Sequence, residues 1–403
     1  MGSALYAGIS GLNASAKEMD VIANNVANTN TVGYKGSTTY FADVLSQSIS
    51  GGSSGSMQVG RGVMVTDVGT QFSSGSFETT ESGTDVAIDG SGFFIVNDSD
   101  NASYYTRAGS FHLDNGGYLV DTNGYKVQGY NFFGSSTGVG DISLNNVQSA
   151  PETTSTFSVG VNLNADTATG ETYTTTQTIY DSLGEGHDLS VTYTKTGTAT
   201  WGFQCALDNV NAASQSASAL SFDSNGNRTS PASDISITFG TLSNGATIGS
   251  GNVVTWDLTS SDALTITGYA STSVINSLTN DGYASGMLKS LSIGSDGIIS
   301  GFFTNGQTAD LGQIVLADFA AVTGLQKVGS NLFSETKTSG QAIVNVPDAS
   351  GMGTLTANSL EMSNTDLATE FINMITAQKS YSANARVITT TDQMLTELIN
   401  IKR

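Results

Sequence analysis

The sequence predicts a mainly β protein with α-helical termini. A discontinuous inner β domain carries an inserted outer β domain, and the N- and C-terminal helices pair as a coiled-coil-like assembly module. Three observations predict it. Both ends carry apolar residues at alternating steps of three and four, the rhythm of a helix seam that packs on another helix. Between roughly residues 70 and 350, apolar residues recur instead at every second position. Asn-Gly and Asp-Gly pairs punctuate that middle as hairpin turns.

At the N-terminus the seam reads Leu5, Ile9, Leu12, Ala16, Met19, Ala23, Val26, with Gly8 and Gly11 weakening the helix locally. Asn24, Asn25 and Asn28 stand where this helix gives way to a turn. Asparagine suits that place because it satisfies local backbone groups and tolerates left-handed geometry. At the C-terminus Leu367, Met374, Tyr381, Ile388 and Leu395 recur every seventh position. The intermediate positions are mixed: Phe371 and Ile399 continue the seam, while Gln378, Ala385 and Asp392 dilute it. Ser363, Asn364 and Thr365 can cap this helix, and Asp366 and Glu370 suit its positive end. Two amphipathic helices on a local core is the commoner arrangement. Both seams, however, sit at the extreme ends and away from other helical segments. An isolated helix needs a partner, and that is either the other terminus or a neighbouring copy.

In the middle, Leu189, Val191 and Tyr193 alternate with Ser190, Thr192 and Thr194, and Ile235, Ile237 and Phe239 do the same. Turns are expected at Asn123-Gly124, Asn225-Gly226 and Asp296-Gly297. The Ser/Gly-rich stretch from Ser46 to Gly60 reads as a flexible connector. Composition shifts near Pro151 towards Thr, Ser, Asn and Ala until about Asn280. The expected division is therefore a terminal helical module at 1–34 and 360–403 and a connector at 35–70. The inner β domain takes 71–149 and 281–359, and the inserted outer β domain 150–280.

Charge excludes some partners. A net charge of −21 repels phosphate backbones and anionic lipid, so neither nucleic acid nor a membrane surface is expected. Only 12% of residues are charged, about half the usual share. A neutral surface of small side chains suits packing against copies of itself, because few charges need desolvating. The N-terminal segment lacks a basic leader and an apolar block, so export without a cleaved signal peptide is expected.

Little in the chain suggests catalysis, a cofactor or a metal. His112 and His187 lie in separate turn-like, Gly-containing neighbourhoods, with no cysteine or histidine at ligand spacing nearby, so a zinc site is not expected. Cys205, in WGFQCAL, reads as a buried inert thiol. Gly51 to Gly55 fits the nucleophile-elbow spelling, but within a low-complexity run where chance explains it. Asp98-Ser99-Asp100 and Asp223-Ser224-Asn225 resemble fragments of calcium loops that never continue, and solvated turns are the expected reading.

The segment SGLNASAKEMDVIANNVANTNTVGYK (Ser10 to Lys35) resembles the N-terminal signature of the flagellar axial rod and hook family. LEMSNTDLATEFINMITAQKSYSANARVITTTDQMLTELINIK (Leu360 to Lys402) resembles its C-terminal signature, with Ala377-Gln378-Lys379 where the family usually has AQR. TDVAIDGSGFFIV (Thr84 to Val96) and the segment Tyr105 to Tyr130 are similar to the β core shared by rod and hook subunits. Ile179 to Tyr193, Asp281 to Thr308 and the following LGQIVLADFA resemble hook subunits in particular. Gly324 to Gly340 is similar to a segment common to both, with Val322-Thr323 in place of the usual Asn-Pro. Across 150–280 the resemblance is thin apart from YDSLG.

The resemblance implies a non-enzymatic subunit that polymerises into a short, curved, hollow tube. Such a tube transmits torque from rod to filament as a universal joint, at the flagellar hook outside the cell. Its implied partners are copies of itself, the flagellar rod, the hook cap, the hook–filament junction proteins and the flagellar type III export apparatus. The alternatives are a distal rod or hook-associated axial protein and, from another class, a secreted β-rich adhesin.

Overall fold

Helix α1 spans Gly2–Ala27 and helix α2 spans Leu367–Ile401, and the chain between them is built largely of strands. The computed structural model describes residues 2–44, 47–49, 57–133, 138–260 and 264–401. Two units emerge: residues 1–146, 290–301 and 310–403 form the first, and residues 147–289 and 302–309 the second.

The first unit is organised around the strand Phe93–Asn97. Its apolar run FFIV does not alternate, because both faces are buried. Phe93 packs edge-on against Phe72, Phe319 and Phe333, while Phe94 meets Phe111 at 5.0 Å between ring centroids. The strand pairs antiparallel with Ser103–Thr106, Lys126–Asn131 and Leu316–Asp318. Chain that is distant in sequence thereby closes one sheet.

The second unit is a sandwich of two sheets. One runs in the order Thr172–Tyr180, Gly186–Gly197, Thr200–Leu207, Ala219–Phe222, Arg228–Ser230; the other is centred on Ile235–Thr238, Val253–Trp256 and Thr156–Asn162. Period two does the sorting. Leu189, Val191 and Tyr193 point inward from one sheet, Ile235 and Ile237 from the other, and they share one core. Burying each such side chain contributes roughly 1.5–3 kcal/mol. Trp256 sits at the centre, stacked on Phe157 at 5.7 Å and edge-on to Phe203 at 5.2 Å. Cys205 is wholly buried here, and burial pushes its thiol up to about 12. Lys195 also falls on the inward side; its Nζ donates to the carbonyls of Ala165 and Thr198 and lies 5.0 Å from the Trp201 ring centroid.

The expected hairpin turns form, and one device recurs. Asp121 Oδ1 accepts the backbone N–H groups of Asn123 and Tyr125, both at 2.8 Å, around Gly124 at φ +83°. Asp223 Oδ1 does the same for Asn225 and Asn227 around Gly226. Asp98 accepts from Asp100 and Ala102 at 2.9 Å. Both calcium-like fragments are thus turns closed by an aspartate on its own backbone.

Residues 35–70 differ from the expected connector. Ser37–Asp43 and Val63–Thr70 form an antiparallel pair of strands, in register from Ser37 against Thr70 to Asp43 against Val63. Ser/Gly-rich composition is confined to the segment between them, and it hid the β-branched and aromatic strands on either side. Of that segment, Gln47–Ile49 pairs with Met57–Val59, and residues 45–46 and 50–56 lie outside the described residues. No helix among the described residues is long and apolar enough to cross a membrane.

Candidate assembly surface

Helices α1 and α2 lie antiparallel. Gly8 faces Ile388, Gly11 faces Asn384, and Asn25 Nδ2 donates to Glu370 Oε1 at 2.9 Å. At these points α1 brings small and polar residues to the contact. A Cβ on Gly11 would come within 2.7–2.8 Å of the Asn384 side chain, and one on Gly8 within 3.1 Å of Ile388 Cγ1. The two glycines, read from sequence as helix weaknesses, are what let the helices approach.

The buried positions of α1 are Gly8, Gly11, Ala14, Ser15, Ile22 and Asn25. Most of them precede a residue of the apolar seam by one position, a rotation of about 100° around the helix. The seam therefore lies beside the contact with α2 rather than on it. Ile9 is 40% exposed and Ala23 is exposed, while Leu5, Leu12, Ala16, Met19 and Val26 are half-buried. On α2, Met374, Tyr381 and Ile388 are half-buried, in phase with the residues that touch α1. Leu367, Phe371, Leu395 and Ile399 are exposed, Ile399 at 66%. Ile372, Ile375, Met394 and Leu398, which heptad counting passed over, are exposed as well. Each helix thus presents apolar side chains that its own chain leaves at least partly exposed.

The asparagines at the end of α1 pin a corner. Asn25 Nδ2 donates to the Ser37 carbonyl at 2.8 Å while its Oδ1 accepts the Ser37 N–H at 3.0 Å, imitating a strand partner. Asn24 Nδ2 donates to the Tyr34 hydroxyl at 3.1 Å, and Asn28 Nδ2 to the Asn24 carbonyl at 2.9 Å. None of the three adopts left-handed geometry. That falls to Gly33, at φ +68°, where a Cβ would meet the Ala108 backbone at 2.5 Å. Its N–H donates to the Glu361 carbonyl at 2.7 Å.

Beneath this corner lies a buried ionic cluster that composition and motif reading passed over. Lys35 Nζ meets Glu361 Oε1 and donates to the Ser73 carbonyl at 2.8 Å. Arg107 meets the other oxygen of Glu361 and donates to the Gly90 carbonyl at 2.8 Å. Burial pulls both cations below their ordinary range, and Glu361 partly offsets it. The signal was present in TVGYK, YTRAG and LEMSN, each of which sets one charge among apolar and small neighbours.

In the second unit, Asp181, Glu185 and His187 each bring one side-chain atom within 4.8 Å of the others. Spacing alone left His187 isolated, but the fold surrounds it with carboxylates. Asn244 Nδ2 donates to Asp181 at 2.7 Å and to Glu185 at 2.8 Å. The group is joined as a hydrogen-bonded network.

Four family models match parts of the chain. Residues 5–35 match a flagella basal body rod protein, and 87–164 the flagellar hook protein FlgE/F/G D1 domain. Residues 143–283 match the flagellar basal body protein FlaE D2 domain, and 356–401 the C-terminal part of the flagellar basal body rod FlgEFG protein. The flagellar hook protein FlgE of Escherichia coli (strain K12) is 36% identical over 98% of both chains. That of Borreliella burgdorferi is 34% identical over 99% of both. The solved flagellar hook protein FlgE2 of Helicobacter pylori covers 71% of this chain and 100% of its own, with a TM-score of 0.46 and 14% identity, and carries no argument at that level. The near full-length identity to the hook relatives settles the matter: the chain belongs to the flagellar hook protein family.

Proposed function

We propose that the chain is the structural subunit of the bacterial flagellar hook and that it assembles through the apolar faces of α1 and α2. One observation carries this reading: α1 brings glycine and polar residues to its contact with α2, which leaves Ile9 on α1 and Leu367, Phe371, Leu395 and Ile399 on α2 exposed beside that contact. Seams exposed on a monomer gain their burial energy from neighbouring copies, at roughly 1.5–3 kcal/mol for each large side chain. The seams are Leu5, Ile9, Leu12, Ala16, Met19, Ala23 and Val26 on α1, and Leu367, Phe371, Met374, Tyr381, Ile388, Leu395 and Ile399 on α2.

In this proposal the helices form the inner wall of a curved hollow tube, and the polar residues of α2 face its channel. The β units stand outside. Their low-charge surfaces slide as the tube bends, which makes it a universal joint between rod and filament. The subunit leaves the cell uncleaved through the flagellar type III export apparatus, under a hook cap, and joins rod and junction proteins at its ends. It does no catalysis.

Ile9→Asp and Phe371→Asp test the reading. Each places a charge where a neighbour would bury it and touches little within the monomer. Expected is loss of polymer in sedimentation and electron microscopy, with the monomer's melting temperature nearly unchanged. Normal polymer from both variants would remove these faces from the assembly.

A further inference from the structure

Both ring nitrogens of His187 face carboxylates. Nδ1 lies 2.6 Å from Asp208 Oδ2, and Nε2 lies 3.3 Å from Asp181 Oδ2. Both acids are supplied with donors that call for the ionised form. Asp181 Oδ1 accepts the N–H groups of Leu183 and Glu185, each at 2.9 Å, and its Oδ2 accepts Asn244 Nδ2. Asp208 Oδ1 accepts the Asp188 N–H at 3.0 Å. A neutral imidazole has one N–H and one lone pair, so one of its two contacts would then set a lone pair against a carboxylate oxygen. Two donors are needed, and only the imidazolium has them.

The groups joined here come from separate parts of the sandwich. His187 opens the strand Gly186–Gly197, and Asp181 follows the strand Thr172–Tyr180. Asp208 belongs to a tight turn after Thr200–Leu207, where it and Asn209 hold φ of +48° and +66°. Asn244 comes from the loop after Ile235–Thr238, in the opposite sheet. The charged groups gathered around the imidazole are Asp181 and Asp208 directly, Glu185 through Asn244, and Asp188 through the backbone N–H that Asp208 accepts. All are acidic. A cleft of about 270 Å³ opens beside Asp208, lined also by Val210, Phe239 and Leu242.

We propose that His187 is a pH-operated latch on the β-sandwich of the second unit: protonated, it fastens the Asp181 turn to the Asp208 turn, and loss of its proton leaves a single N–H that cannot hold both, which unfastens the two turns and loosens the cleft beside Asp208. Burial opposes the charge, but the hydrogen bonds to Asp208 and Asp181 outweigh it, so the imidazole holds its proton above the ordinary histidine value. The latch is then fully closed below about pH 6.5, the unfolded value. It is lost as pH rises through the raised folded value. The stiffness of this unit therefore depends on external pH, independently of how the helices assemble.

The chain has two histidines, so a full-length protein carrying His112→Gln and labelled in its histidine rings leaves one imidazole to follow by NMR. Expected is a titration midpoint above the ordinary histidine value, with both ring nitrogens protonated below it. Asp208→Asn should move the midpoint down. Hydrogen-exchange protection of the Leu183, Glu185 and Asp188 amides, corrected for intrinsic rates, should drop across the same midpoint, and His187→Gln should abolish that step. A midpoint at or below the ordinary value, a single protonated nitrogen at low pH, or protection that stays flat through the transition would each overturn the latch. The ring nitrogen shifts are read in the His112→Gln chain, where the exposed His112 alone is changed, so misfolding of Asp208→Asn or His187→Gln leaves the test intact.

Discussion

Lys35 Nζ and Glu361 Oε1 lie 2.6 Å apart, both side chains sealed from solvent, although 326 residues separate them. Lys35 ends the turn that leaves α1, and Glu361 ends the strand Ser359–Glu361 shortly before α2 begins. One buried pair therefore ties the roots of both helices to the β unit that carries them. The Gly75 N–H, at 2.9 Å from the same carboxylate oxygen, completes its shell.

Removing the shared anion should be severe. Glu361→Ala leaves Lys35 and Arg107 buried without a counter-charge, and breaking such a cluster from one side costs about 3–5 kcal/mol. Urea unfolding of the full chain reads it as an earlier transition of the first unit. A loss below about 1 kcal/mol would mean that the cations reach water without difficulty.

Gly8→Leu should part the helices. Even a Cβ there sits 3.1 Å from Ile388 Cγ1, and overpacking of this kind costs about 1–3 kcal/mol. That exceeds the gain of about 1 kcal/mol from replacing a helical glycine. Expected are faster hydrogen exchange along α1 and loss of polymer, with the exchange, read on the monomer, partly rescued by Ile388→Ala. No rescue would mean that the two side chains do not share the space.

Asp281 organises the start of the strand Thr156–Asn162. Its carboxylate accepts the Ser155 N–H at 2.9 Å, the Thr156 N–H at 3.0 Å and both hydroxyls. Burial would raise its proton affinity, but these bonds outweigh that and hold it below the usual carboxylate range. A depressed folded value gives stability that is present above about pH 3.9, the unfolded value, and lost as pH falls through the folded one. Asp281→Asn should therefore cost the second unit about 1–3 kcal/mol near neutrality. The difference from the parent should shrink in strong acid, as calorimetry across pH would record.

Cys205 should resist alkylation in the folded chain at pH 8. Its thiol is buried and lifted to about 12, against about 8.5 for a free cysteine, which leaves on the order of 10³-fold less thiolate. Mass spectrometry after iodoacetamide should show labelling only in denaturant. Rapid labelling of the native protein would place the thiol at the surface.

The sequence by itself determined the elements whose causes are local. Heptad spacing marks both terminal helices. Alternation at Leu189, Val191 and Tyr193 marks a strand with one face in a core, and Asn-Gly and Asp-Gly pairs mark turns, because glycine takes the positive φ that a tight turn needs. Those causes lie within a few residues of their effects. The tertiary structure decided which faces meet. Heptad counting ranks positions by apolarity, so it chose Ile9 and Leu12. Close helix contact instead selects for small size, and it fell one residue earlier, on Gly8 and Gly11. Residues 35–70 were misread for a related reason: glycine and serine between two strands dominate the composition, while pairing depends on Ser37 finding Thr70. The Lys35–Glu361 pair and the approach of Asp208 to His187 were likewise out of reach. A charge reads as a surface residue until the fold brings a partner from elsewhere in the chain and removes the water.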